Sequence, residues 1–325
     1  MRLILHLVSL LLRGTALLLG LLGAAIALAC LGGAFSDRLD ALTHLTPLWF
    51  CLGLASLVLG LGFADEAERK AVLVLAAMTV VITGGLMAPE IVAAVRAPRQ
   101  PAAGATLKLV QFNVWADNDD PDATLDWILA QKADVMLIEE GGGAAWPVVK
   151  RLRKLYPNYV TCAGKRLCDT WIFSRWPMIR QHGLREHGPA LSAAWATLRH
   201  PGGDFTVAAT HHLWPFPAGP QQAQSRLLVR ELARFDRRTL ILGGDFNSTP
   251  WSFSLRRQDK ALGLERRTRA LASWPAGRFT RLASAPFPVL PIDQVYAGQA
   301  WKTVKVERGP VLGSDHRPVV VTLAR

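Results

Sequence analysis

Six short motifs in the last two thirds of the chain each set polar side chains at the end of an apolar run. They are Asn113 in QFNVW, Glu139 and Glu140 in ADVMLIEE, His211 and His212 in ATHHLWP, Asp245 and Asn247 in GGDFN, Asp293 in PIDQVY, and Asp315 with His316 in GSDHRP. A hydrophobic core has no use for such groups unless they are paired. Four carboxylates that converge repel one another, by ~4 kcal/mol for two charges 4 Å apart at an effective dielectric near 20. Such a cluster takes up protons or a cation. Oxygen ligands favour Mg²⁺ or Mn²⁺, and the chain has no HExxH and no CxxC that would point to zinc. A histidine beside these acids can move a proton near neutral pH.

Taken singly, each motif has a plain structural explanation. Asn113 can cap a turn, Glu139 and Glu140 can face solvent, GGDFN can be a glycine turn with an Asx bond, and GSDHRP can be a loop. Asp293 resists that explanation, because an acid inside a short apolar strand is costly without a partner. The pair of glycines before Asp245 reads as a flexible hinge out of the strand.

The elements that must position these groups follow from the hydrophobic pattern. LKLVQFNVW alternates and predicts a strand ending near Asn113. PDATLDWILAQK predicts a helix with Pro121 at its start. ADVMLIEE predicts a short buried strand, AAWPVVKRLRKLYP a basic helix, and TWIFSRWP a strand that stops at Pro177. LSAAWATLRHPGGDFTVAATHH predicts a hairpin, GPQQAQSRLLVRELARF an amphipathic helix, and TLILGGDFN, PIDQVYAG and the segment after GSDHRP further strands. Hairpins mixed with strand–helix alternation indicate a mixed α/β sandwich, not a parallel dinucleotide-binding sheet.

The first 95 residues differ in character. Apolar stretches run from Leu3 to Phe35, from Leu45 to Phe63 and from Ala71 to about Val95, each close to the ~20 residues that span a bilayer as helix. The competing explanation is a cleaved signal peptide followed by a buried helical domain, but the first stretch exceeds a signal-peptide core. Arg13 either snorkels or marks the start of the first span at Gly14. The expected organisation is a membrane domain over 1–95, a Pro- and Ala-rich linker over 96–106, and a catalytic domain over 107–325. Three spans place the termini on opposite sides, and the positive charges flanking the spans do not decide which. Cys162 and Cys168 lie close enough to pair, which favours an extracytosolic catalytic domain; two free thiols in a cytosolic loop are the alternative. Residues 101 to 325 carry 30 Lys or Arg against 19 Asp or Glu. That excess suits a polyanionic substrate or an anionic surface, and equally a merely soluble basic surface.

QFNVW, ADVMLIEE, IFSRWP, ATHHLWP, GGDFNSTP, PIDQVY and GSDHRPV resemble, in this order, the motifs of the endonuclease/exonuclease/phosphatase (DNase I-like) superfamily. The resemblance covers 106 to 325 and is similar to that of membrane-attached bacterial members. It implies a four-layer α/β/β/α sandwich, here preceded by three transmembrane helices, and Mg²⁺- or Mn²⁺-dependent hydrolysis of a phosphate ester. It assigns Asn113 and Glu140, with Asp315, to the metal. His211 would contact the scissile phosphate, Asp245 and Asn247 would form the aspartate–asparagine pair, and Asp293 would orient His316 as base. Two departures stand out. Ile138-Glu139-Glu140 replaces the usual Leu-Gln-Glu, which leaves Glu139 as an alternative register for the ligand, and Gln294 follows Asp293 where histidine is common. His212 is an alternative to His211.

Three functional readings remain. The first is a nuclease, with KRLRK, ARFDRR, SLRRQDK and LERRTR meeting nucleic-acid phosphates. The alternative is a phosphodiesterase of membrane lipid or lipid headgroups, and Trp214, Phe216, Trp251 and Phe253 would then meet lipid or support the loops. The third is a non-catalytic membrane scaffold. The expected location is the cell inner membrane, multi-pass, with the catalytic domain periplasmic. No protein partner is read from the sequence.

Overall fold

A computed structural model describes residues 1–97, 105–162, 168–184, 191–280 and 283–325. The chain divides into two compact units, residues 1–92 with 251–254, and residues 93–250 with 255–325.

The first unit holds three helices long and apolar enough to cross a membrane, over Arg2–Ala34, Asp37–Phe63 and Glu66–Arg96. Without a hydrophobic force between helices in lipid, small residues must bring the backbones together. Ala16, Gly20, Gly23, Ala24 and Ala27 form the buried stripe of the first helix. The facing helix Thr46–Phe63 buries Gly53, Ser56 and Gly60, and the Ser56 hydroxyl donates to the Ala16 carbonyl at 2.8 Å. Arg13 pairs with Asp65 and Glu68, so it lies level with the turn before the third helix.

The third helix closes at Arg96 and the first strand opens at Thr106. Most of the expected linker, 98–104, lies outside the described residues. The strands that follow are β1 (Thr106–Asn113), β2 (Val135–Glu139), β3 (Asn158–Thr161), β4 (Thr170–Ser174), β5 (Met178–Gly183), β6 (Ser192–Leu198) and β7 (Phe205–His211). After these come β8 (Ile241–Asp245), β9 (Glu265–Arg266), β10 (Gly277–Arg278), β11 (Ser284–Ala285), β12 (Asp293–Ala297), β13 (Lys302–Arg308) and β14 (Val319–Ala324). The sequence pattern had not marked β3, β5, β9, β10, β11 or β13, which are short or carry exposed polar residues.

Two six-stranded sheets form, in the orders β13-β14-β1-β2-β4-β3 and β5-β6-β7-β8-β12-β9, with β10 and β11 as a separate hairpin. Each sheet has one parallel pair at its centre, β1 with β2 and β7 with β8, joined by the helices Pro121–Ala130 and Ala218–Leu232. The sheets face each other through Leu109, Leu137, Val207, Ile241, Val295 and Val321. The outer face of the first sheet packs on the helices Pro121–Ala130 and Trp146–Leu155 through Phe112, Ile138, Ile128 and Val149. That of the second packs on Ala218–Leu232 and Phe253–Leu262 through Leu242, Tyr296, Leu228 and Leu255. This is the expected α/β/β/α order.

The glycines before Asp245 are not a hinge; both belong to β8. Gly243 faces the opposite sheet, where a Cβ would meet the Leu137 side chain at 2.6 Å. Gly244 has φ +146, and a Cβ there would lie 1.8 Å from the Thr210 carbonyl oxygen of the neighbouring strand. Only glycine lets β8 run this close to β7. Gly244→Ala should therefore destabilise the catalytic unit by at least about 3 kcal/mol, whereas Gly219→Ala, in open space on a helix, should be neutral or stabilising by about 0.5 kcal/mol. Tryptophan-monitored unfolding of the two variants checks this.

Candidate metal-dependent phosphoesterase site

Successive side chains of a strand point to opposite faces. In β1, Leu107, Leu109, Gln111 and Asn113 therefore share the face between the sheets, while Val110 and Phe112 point to the helices. The same parity aims Glu139 of β2, His211 of β7, Asp245 of β8 and Asp293 of β12 between the sheets. Register then lines them up. Asn113 stands opposite Glu139 in one sheet, and His211, Asp245 and Asp293 stand side by side in the other. Glu140 would turn outward if β2 continued. Its φ of +54 instead bends the chain, and its side chain joins the site. Asn247 likewise holds a φ of +46. Strained non-glycine residues of this kind persist where the surroundings hold them, commonly at functional sites.

The contacts are close. Asn113 Nδ2 donates to Glu140 Oε1 at 2.9 Å and to Asp245 Oδ2 at 3.1 Å, while Asn113 Oδ1 accepts from the Trp115 backbone. His211 Nε2 lies 3.6 Å from both Glu140 Oε1 and Asp245 Oδ2. His316 Nδ1 is 2.7 Å from Asp293 Oδ2, and its Nε2 is 3.6 Å from Asp245 Oδ2. Asp245 Oδ1 accepts from the Asn247 backbone at 2.8 Å, and Asn247 Nδ2 donates to the His212 carbonyl at 2.8 Å. Asp315 Oδ1 is 3.9 Å from His316 Nε2. All eight residues assigned from the sequence are thus linked by contacts at one end of the sandwich.

The alternatives separate as well. His212 is buried against Phe246, on the face away from the site, and burial pushes its imidazole down to about 3. Gln294 also points away: it accepts from the Thr268 hydroxyl and donates to the Pro291 carbonyl. Its exchange for histidine therefore leaves the Asp293–His316 contact untouched. Glu139 lies deeper than Glu140, bonded to the Gln111 amide at 2.9 Å. Trp214 and Phe216 are each about half exposed, whereas Trp251 is buried.

Charge is balanced unevenly. Burial, reinforced by Asp293, raises the Glu139 carboxyl well above its usual range. Burial also raises Asp245 to about 6 and raises Asp315. Glu140 stays low despite burial, because His211 and the Asn113 amide favour its charged form. Burial opposes a charge on His316, but Asp293 and Asp245 outweigh it and hold the imidazole well above its ordinary value. Asp293 is correspondingly lowered.

Three supporting residues escaped the sequence reading. Ser314 Oγ donates to the Asn113 carbonyl at 2.7 Å and accepts from the His316 backbone at 3.0 Å, tying the last motif to the first. Trp274 Nε1 donates to Asp315 Oδ2 at 3.0 Å, a contact that no local pattern announces. Gln111 had a signal: it is a polar residue two before Asn113, on the same face of an alternating strand.

The sequence model of the Endonuclease/Exonuclease/phosphatase family matches residues 110–316, which is more than half of the chain and includes all eight site residues, from Asn113 to His316. The chain belongs to this family. No curated protein matches it. Among solved structures, SmcL matches with a TM-score of 0.54 and 16% identity, over 68% of this chain and 99% of that one. TDP2 of D. rerio, complexed with single strand DNA product, matches with 0.55 and 12%, over 68% and 100%. An endonuclease/exonuclease/phosphatase from Beutenbergia cavernae matches with 0.51 and 21%, over 68% and 72%. At these identities the likeness is one of fold.

Two groups of these side chains could hold a metal ion. Glu140, His211 and Asp245 offer ligand atoms within 4.8 Å of one another, and so do Asp245, Asp293 and His316. Asp315 Oδ1 is buried and accepts no hydrogen bond among the described residues. An ion that binds the folded form alone stabilises it by about 2.7 kcal/mol at a hundred times its dissociation constant. Added Mg²⁺ or Mn²⁺ should raise the unfolding midpoint, and Glu140→Gln should remove most of that rise. A thermal titration with and without EDTA measures it.

Proposed function

We propose that the catalytic unit hydrolyses phosphodiesters with a divalent cation, Mg²⁺ or Mn²⁺, and with His316 as general base. The observation that carries this reading is the 2.7 Å contact between His316 Nδ1 and Asp293, with the opposite ring nitrogen turned toward Asp245. A carboxylate on Nδ1 fixes the ring and leaves Nε2 to take a proton from water. Asp245 positions that water. His211 and Asn247, whose side-chain nitrogens lie 3.5 Å apart, donate to the phosphate as its negative charge grows. Glu140 and Asp315, with Asn113, are the residues assigned to the ion. Such an ion would polarise a phosphoryl oxygen and offset the carboxylate charge that keeps His316 protonated.

For the substrate, the first reading is a nucleic acid. It is supported by exposed Lys150, Arg151, Lys154, Arg237, Arg238 and Lys260, and by the basic balance of the domain. Part of the expected basic surface serves other ends: Arg266 pairs with Asp259, and Arg267 bonds the carbonyls of Ala297, Gly298 and Trp301. The second reading, a lipid phosphodiester, is favoured by one observation. Leu213, Trp214 and Phe216, in the segment after His211, are exposed, and the Trp214 ring touches Trp274, which holds Asp315. The three apolar helices of the same chain would keep the site near a bilayer. We place the protein in the cell inner membrane, multi-pass. The disulfide between Cys162 and Cys168 supports a periplasmic catalytic unit, since such bonds persist outside the cytosol.

His316→Ala should lower turnover by about a thousandfold or more while keeping the fold and the metal-dependent rise in the unfolding midpoint, although the midpoint itself falls because Asp293 loses its buried partner; near-full activity in this variant would overturn the assignment. The substrate readings part on salt. Cleavage of single-stranded DNA should fall steeply between 50 and 200 mM salt, by about a hundredfold or more. Cleavage of a phospholipid in mixed micelles should respond to the lipid fraction instead. EDTA should stop either activity.

A further inference from the structure

Gln111 stands behind the site and bridges its two sheets. It is fully buried, and so are both of its partners. Its single amide nitrogen donates to Glu139 Oε2 at 2.9 Å on the neighbouring strand and to Asp293 Oδ1 at 2.8 Å on the opposite sheet. The other oxygen of Asp293, Oδ2, meets His316 Nδ1 at 2.7 Å. One line of contacts thus runs Glu139, Gln111, Asp293, His316. An amide is suited to the middle of this line. Its two N–H groups lie in one plane at a fixed angle, and it separates two carboxyls that would otherwise face each other.

We propose that Gln111 is a positioning residue for the reaction: anchored on Glu139, it fixes the carboxyl plane of Asp293 and through it the ring of His316. The motif QFNVW then carries two functions on one strand face, with Asn113 at the mouth and Gln111 beneath it. Glu139, which stands where the family usually has glutamine, is the anchor and takes no part in holding the ion. Only its Oε2 is used; its Oε1 accepts no hydrogen bond among the described residues. A glutamine at 139 would still offer an oxygen to Gln111, whereas an apolar side chain would not.

This inference rests on His316 acting as base, so its test has a readout besides turnover. The full-length chain in detergent, labelled with ¹⁵N-histidine, gives an imidazole N–H signal for His316, recognised by its loss in His316→Ala. Turnover is followed with bis(p-nitrophenyl) phosphate and Mg²⁺. Gln111→Met keeps the length of the side chain and removes both donors. It should shift the His316 N–H signal and lower kcat by about tenfold to a hundredfold, with KM and half-saturating Mg²⁺ within about twofold of wild type. In an Asp293→Asn background it should cost less than about a further twofold, since two residues acting through one contact are not additive. Glu139→Met should shift the signal and lower the rate in part, and Glu139→Gln, which still offers an oxygen to Gln111, should recover most of both relative to Glu139→Met. Should Gln111→Met fail to fold, Glu139→Met carries the same two readouts. An unchanged N–H signal with unchanged kcat in Gln111→Met overturns the proposal, as does a loss that multiplies fully with that of Asp293→Asn. If the wild type does not turn over the probe, the reading of the site as a phosphodiesterase fails, and the N–H signal alone decides the role of Gln111.

Discussion

Five carboxyls, Glu139, Glu140, Asp245, Asp293 and Asp315, meet at one end of the sandwich with no lysine or arginine bonded to any of them among the described residues. Like charges in a medium of low dielectric repel strongly, and each buried carboxylate also loses its hydration. The rest of the catalytic unit can be understood as the means of tolerating this. Asp293 shares the charge of His316, Glu140 is held by the Asn113 amide and His211, and burial shifts Glu139, Asp245 and Asp315 toward the neutral form. What is left is a cluster whose resting state is frustrated and which a divalent cation would relieve. The repulsion that strains these carboxyls is the same force that would draw a divalent cation to them.

Holding such a cluster takes rigidity, and the rigidity comes from the sheets. Every strand that supplies a residue is central: β1 and β2 in one sheet, β7, β8 and β12 in the other. Each has its inward face packed on the core between the sheets and its outward face on helices. The side chains therefore emerge from elements with no freedom to shift register, because a slip by one residue would turn every core side chain the wrong way. The loops supply the rest: the bends at Glu140 and Asn247 bring those side chains in, and the loop between β13 and β14 carries Asp315 and His316, with Ser314 pinning it to β1.

The three long apolar helices are built on the opposite principle. The first two meet through glycine, alanine and serine, as suits helices in lipid, where apolar side chains would gain nothing from leaving their solvent. The second unit excludes water from large apolar side chains, and at Gly244 glycine serves where two backbones must touch. A single chain thus uses small residues in two ways, between apolar helices in one unit and between strands in the other.

Much of this was legible in the amino-acid order. The alternation of LKLVQFN and the apolar runs of TLILGGDFN and PIDQVYAG marked the strands, and each motif set its polar residues at a strand end or just after it. The three apolar helices needed only length and hydropathy. Other features were not local. The weakly patterned edge strands β3, β5 and β13 take their structure from their neighbours. The glycines of β8 looked like a hinge because their cause, the Thr210 carbonyl, lies 34 residues away. Trp274 on Asp315 and Gln111 on Asp293 are contacts between segments far apart in the chain. The sequence by itself determined which side chains could bind a cation or move a proton, and that they fall at strand ends, because those follow from residue type and hydrophobic pattern. Only the tertiary structure decided which carboxyl meets which histidine, since that depends on strand order, register and two bends, none of which a single strand can encode.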